Sequence, residues 1–167
     1  RIYKFERSLV NRILDLTNCH PYFLHAVCLE LTARMSKLPQ DEVTADDLGS
    51  AIIIVLRSGD HYFSHFCNAT DDRSWSTLKT IAYIARGKDN RASREEIRKI
   101  MAEYGSSTKL WQISESLNKL YRAGIIEAHN IQNKISYSIP VGLFQFWLLQ
   151  QTHPLISSEL LETINHD

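Results

Sequence analysis

Thr17-Asn18-Cys19-His20-Pro21-Tyr22-Phe23-Leu24 reads as a turn that runs straight into a helix, and the rest of the chain can be placed from it. Pro21 stands at the first helical position, where its fixed φ suits the helix and its missing N–H costs nothing. Behind it Leu24, Val27, Cys28, Leu31 and Met35 recur as one apolar helix face, which puts Cys28 among the buried hydrophobes. A helix N-terminus concentrates N–H groups and partial positive charge, so His20-Pro21 could face an anion or a nucleotide. A helix start with a locally bonded histidine is the plainer alternative.

Upstream, Phe5, Leu9, Ile13 and Leu16 predict a first helix over about 3–16, with Asn18 as its left-handed terminator. Downstream, the helix that begins at Pro21 ends near Ser36, stopped by Leu38-Pro39-Gln40. Thr44 is a good N-cap, with Asp46 and Asp47 in the first turn where the helix dipole favours them. The third helix then runs to about Arg57 with Leu48, Ile52, Val55 and Leu56 inward. Such short helices must pack on one another to bury their stripes.

Residues 58–72 form an aromatic connecting segment in which Tyr62, Phe63 and Phe66 are expected between two units. His61 and His65, four apart, have no third ligand in reach and make no metal site. A helix over 75–85, capped near Asp72, is expected to stop at Gly87. Ser93 and Glu96 form a capping box ahead of Ile97, Ile100 and Met101, and Gly105 ends that helix. Ser107 or Thr108 opens the next, with Leu110, Ile113, Leu117 and Leu120 inward, as far as Gly124. The period then becomes strand-like: 125–131 and 135–139 flank Gln132-Asn133-Lys134 as a hairpin. Val141, Phe144, Trp147 and Leu148 should pack back on this second unit, and 153–167 is a tail.

Two runs carry a family resemblance. Residues 17–24 resemble the "Gly-Gly-His-Pro-Tyr-Leu-Leu" element in the lid of AAA-like ATPases of the STAND class, signal-transduction ATPases with numerous domains. Leu117-Asn118-Lys119-Leu120-Tyr121-Arg122-Ala123-Gly124-Ile125-Ile126 resembles the end of the third helix of a winged helix and its entry into the wing. Val141–Leu148 is similar to the "Val-Pro-Leu-Phe-x-x-Trp-Leu" ending of winged helices appended to those ATPases. The resemblance spans roughly residues 1–150. It implies a mainly α chain: a small helical lid bundle at 1–57, the connecting segment 58–72, a winged-helix domain (helix-turn-helix with a β hairpin) at 73–152, and the tail 153–167.

The same resemblance implies that Pro21 lies close to a bound adenine with His20 as its polar neighbour. ATP or ADP would then be the cofactor of the parent protein, held by an upstream nucleotide-binding domain. Asn18 and Cys19 stand where the family prefers glycines; Asn adopts the left-handed conformation readily, Cys poorly. The chain itself has no Gly-x-x-x-x-Gly-Lys-Ser/Thr loop, His-Glu-x-x-His or Gly-x-Ser-x-Gly, so it is read as a non-catalytic fragment, and its start at Arg1 fits an excised piece. No enzyme activity is expected of it, and Asp46-Asp47, Asp71-Asp72 and Glu95-Glu96 read as helix-start acids.

Charge is balanced overall, with 19 basic and 19 acidic residues, but not locally. Residues 73–152 carry 12 basic and six acidic side chains, a mild pointer to an anionic partner. For DNA, the third helix of that unit would offer Lys109, Gln112, Asn118, Lys119 and Arg122, with Lys134 on the wing. Against DNA, Glu115 sits centrally on the same helix; Trp111 and Tyr121 read as core or interface residues rather than base-stacking ones. Protein contact, self-association or docking within the chain is the favoured role, a DNA-binding regulator the alternative, and a purely structural adaptor the third reading. No run approaches the ~18 apolar residues of a membrane span. Three cysteines without metal spacing fit a reducing, cytoplasmic setting.

Overall fold

The computed structural model describes residues 2–59, 63, 70–86 and 90–152, which form seven helices and one three-stranded sheet. The expected connecting-segment residues His61, Tyr62, His65 and Phe66, the stop at Gly87 and the tail from His153 lie outside them. The chain divides into two compact units, one of residues 1–63 with 141–167, the other of 64–140.

The first unit holds α1 (Arg7–Thr17), α2 (Pro21–Met35) and α3 (Ala45–Arg57). α1 starts later than its apolar spacing predicts because residues before it are drawn into an extended pairing. The Lys4 N–H donates to the Asp41 carbonyl (2.9 Å) and the Val43 N–H to the Lys4 carbonyl (3.0 Å). α2 packs on α1 and α3. Its inner face is Phe23, Ala26, Val27, Leu31 and Met35; Cys28, one position round from Val27, is exposed rather than buried. α3 has the expected inner residues, and its N-terminus carries a complete capping box between Thr44 and Asp47.

Asp47 is a buried carboxylate at the join of α2 and α3. It accepts from Arg34 Nε (2.8 Å), Gln40 Nε2 (3.2 Å), the Thr44 N–H (3.1 Å) and the Thr44 hydroxyl (2.7 Å). Burial pushes its pKa up, but the hydrogen bonds from Arg34 and Thr44 and the guanidinium charge outweigh burial and hold it below the usual carboxylate range. Four donors make a buried charge tolerable.

The final helix of the described chain belongs to this unit and not, as its sequence suggests, to the second. Gly142–Thr152, here α7, packs on α1 and α3. The reason is its composition: Leu143, Phe144, Trp147, Leu148 and Leu149 are all buried, so it needs apolar cover on most sides. Phe63 supplies part of it, with ring centroids 5.5 Å from Phe144 and 5.2 Å from Trp147. Gly59 lets the chain pass, since a Cβ there would overlap the Trp147 indole.

The second unit runs α4 (Asp72–Ile84), β1 (Ala92–Ser93), α5 (Arg94–Glu103), α6 (Leu110–Arg122), β2 (Glu127–Ile131), β3 (Lys134–Ser138). Asp71 caps α4 by accepting from the Ser74 N–H (2.8 Å), and the Ser93–Glu96 box opens α5 as expected. α6 opens at Leu110, two residues later than the hydroxyls of Ser107 and Thr108 suggest, because Gln112 Oε1 accepts from the Lys109 N–H (2.9 Å). The three helices pack on one another around Leu78, Ile81, Ile97, Ile113, Leu117 and Leu120.

The strands are antiparallel in the order β1-β3-β2, with Ala92 opposite Tyr137 and His129 opposite Ser136. β1 is too short to show any period in the sequence. The hairpin turn has two central residues, Gln132 (φ 51°) and Asn133 (φ 63°), both left-handed; that backbone matches the twist of the flanking strands, and Lys134 becomes the first residue of β3. Among the described residues, no helix is long and apolar enough to cross a membrane.

Candidate functional sites

In the first unit the turn at 17–21 is built from two successive left-handed residues, Asn18 (φ 47°) and Cys19 (φ 54°). The N–H groups of Asn18, Cys19 and His20 donate to the carbonyls of Asp15 (3.2 Å), Leu14 (3.0 Å) and Thr17 (2.9 Å). These bonds satisfy carbonyls at the end of α1 while the chain reverses. Thr17, buried beneath, donates its hydroxyl to the Ile13 carbonyl (2.8 Å). His20 returns to extended backbone as the N-cap of α2, without a side-chain capping bond, and Pro21 opens the helix. His20 and Pro21 are both exposed.

The histidine is not isolated from the interior. Its ring centroid lies 5.0 Å from that of Phe23, which is fully buried and stacks on Phe63 at 5.1 Å. Phe63 in turn meets Trp147 and Phe144. A continuous run of rings therefore joins the exposed turn to α7. Phe23 was not on the apolar stripe read from the sequence, although its aromatic neighbourhood was the available signal. An open cleft of about 720 Å³ in the same unit is lined in part by Glu6, Arg12, Asp15 and Glu42, and its walls do not include His20 or Pro21. Its carboxylates make it a poor place for phosphate.

In the second unit the structure separates the six residues considered for DNA. Lys119 Nζ lies 2.9 Å from Asp71 Oδ2 and 3.2 Å from Glu115 Oε1. The bond from Lys119 and the Ser74 N–H hold the Asp71 carboxyl well below its usual range, while Asp71, then Glu115, push the Lys119 ammonium up. That cation is committed to carboxylates of its own unit. Gln112 is spent on the start of α6, as described above. Asn118 and Arg122 remain exposed on α6, Lys109 precedes it, and Lys134 stands at the hairpin turn.

Helical spacing places Trp111, Glu115, Asn118 and Arg122 along the stripe of α6 opposite its buried face. Trp111 is 62% and Tyr121 55% exposed, so neither is a core residue. Arg94, from the first turn of α5, lies against this helix, with Nη1 3.3 Å from Ser114 Oγ and Nη2 3.5 Å from Glu95. Arg94 also lines an open cleft of about 550 Å³, together with Ser93, Asn133, Lys134 and Tyr137. Among the described residues no group of three His, Cys, Asp or Glu is placed to hold a metal ion. No protein-family model, curated protein or solved structure matches the chain.

Proposed function

We propose that this chain is the regulatory, non-catalytic part of a STAND-type ATPase: a helical lid followed by a winged helix, coupling the nucleotide state of an upstream core to docking or assembly. The observation that carries the reading is the backbone at Asn18 and Cys19. Both residues adopt the left-handed conformation that glycine takes most readily, which fits a turn where the family prefers glycines. His20-Pro21 stands exposed beyond that turn, where a nucleotide could reach it. The helix–strand–helix–helix–strand–strand order of the second unit supports the winged-helix assignment.

On this reading ATP or ADP is held mainly by protein ahead of Arg1. The lid contributes Pro21 against the base and His20 beside it. The ring run His20–Phe23–Phe63–Trp147 offers a route by which that contact biases α7. A ligand shifts such an equilibrium only by its differential affinity for the two arrangements. Trp147 fluorescence is the direct probe of that coupling.

The test uses the intact polypeptide that contains this segment. Photolabelling with 8-azido-ADP should modify a peptide containing residues 18–24, and excess ADP should abolish the label. A polypeptide that binds no adenine nucleotide, or one labelled only elsewhere, ends the proposal.

A further inference from the structure

We infer that the outward face of the second unit binds single-stranded nucleic acid, by stacking bases on Trp111 and Tyr121 while cations from separate elements hold the backbone. The inference is independent of the nucleotide reading above.

Three observations meet on one surface. The first is the pair of rings, more than half exposed on α6, which leaves a large aromatic area uncovered within its own unit. The second is the origin of the cations around them: Arg122 from the end of α6, Arg94 from the start of α5, and Lys134 from the hairpin turn. Arg94 contacts α6 through Ser114 and shares a cleft with Lys134, so its side chain links the helix to the hairpin. The third is composition: Asn118 and Asn133 add amides, and residues 64–140 carry 12 basic against eight acidic side chains.

The chemistry separates this partner from two neighbours. A duplex read by α6 would need the outer stripe to enter the major groove, where Glu115 and the Trp111 indole are poorly suited. A strand with free bases asks less of the helix: every base has a π face, and phosphates need only cations along the path. An acidic protein would meet the same cations and could pack its own aromatic and arginine side chains on the rings, so the poly-glutamate competition and the Trp111 variants below make that separation. Glu95 and Glu115 lower the field of this surface, so binding should be modest in affinity.

The experiment is fluorescence anisotropy of the full 167-residue chain with labelled dT20, the matching dT20·dA20 duplex, and poly-glutamate as the anionic competitor. Expected is binding to dT20 that exceeds binding to the duplex and quenches tryptophan emission. Trp111→Ala should weaken it about tenfold and Trp111→Phe by much less. Arg94→Ala with Lys134→Ala should weaken it and make the salt dependence shallower by about 1.4 in log–log slope, two contacts at ~0.7 each. Lys37→Ala, in the other unit, should change neither. The inference is overturned by absence of dT20 binding, by a preference for the duplex, by equal binding in Trp111→Ala with its circular dichroism unchanged, or by poly-glutamate competing as well as dT20.

Discussion

Replacing Asp47 tests whether one buried carboxylate fixes the geometry of the first unit. In Asp47→Ala the Thr44 hydroxyl still caps the backbone N–H of residue 47, but the carboxylate's bonds from the Thr44 N–H and hydroxyl are lost, which costs about 1 kcal/mol. The charge-assisted bond from Arg34 goes too, worth about 1.5–3 kcal/mol. Breaking a buried pair by removing one partner costs about 3–5 kcal/mol when the other charge is stranded. Here the Arg34 side chain is 37% exposed against 4% for Asp47, so water recovers much of that penalty. The expected loss is therefore about 2–3 kcal/mol. Asp47→Asn keeps the shape and one acceptor for Thr44, and should lose about half as much.

The assay is urea unfolding followed by Trp147 alone, in a Trp75→Phe, Trp111→Phe background, since those are the other two of the three tryptophans. Proton linkage adds a second signature. The folded pKa of Asp47 is depressed, so its contribution is complete above the unfolded carboxylate value of ~3.9 and is lost as pH falls through the lower folded value. The difference between wild type and Asp47→Asn should thus stay level from pH 7 to 5 and shrink only below about pH 4. A loss under 1 kcal/mol for the alanine variant, or a difference that persists undiminished to pH 2, would refute the argument.

Gly59→Ala should destabilise the first unit by about 2 kcal/mol, because its methyl must displace the Trp147 indole; a melting curve unchanged within error contradicts the packing at that point. Cys19→Gly relieves ~1–2 kcal/mol of left-handed strain and costs ~0.5–1 kcal/mol in chain entropy, so chemical denaturation should show a small net gain in stability, and a clear loss would contradict the assigned turn. Among the described residues Thr77 Oγ1 is buried without a partner, so Thr77→Val should be neutral or stabilising by up to ~1 kcal/mol in thermal unfolding of the second unit.

Much of this fold was legible where one side of an element is polar. α3, α5 and α6 alternate cleanly between wet and dry faces, and their inner residues Leu48, Ile52, Ile97, Ile113 and Leu117 follow from spacing alone. Caps at Thr44 and Ser93 were equally readable, since each pairs a hydroxyl with an acid three residues on. α2 and α7 were not, and for one shared reason. Both are apolar around most of their circumference, so periodicity gives no direction: Cys28 was assigned to the wrong side of α2, and α7 to the wrong unit. Only the positions of Phe23, Phe63 and Trp147 in space decide which face is inner.

The two sites divide in the same way. The turn at 17–21 was legible as conformation, because Pro21 and the short polar Asn18 constrain the backbone locally. Cys19 was the doubtful position, and its left-handed φ is set by the bonds that end α1 rather than by its own preference. The face of α6 was legible only as a set of candidates, because whether a cation is available depends on what lies across from it. Asp71 is 48 residues from Lys119, and Arg94 is 20 from Ser114. No local window contains either pair. The fold thus pairs Lys119 with two carboxylates, places Gln112 at the start of α6, and brings Arg94 against the helix on which Trp111 and Tyr121 are exposed. On the inference drawn above, that arrangement suits bases stacked on exposed rings better than a duplex read by charge, and loss of binding on removing Trp111 alone is the result that separates the two.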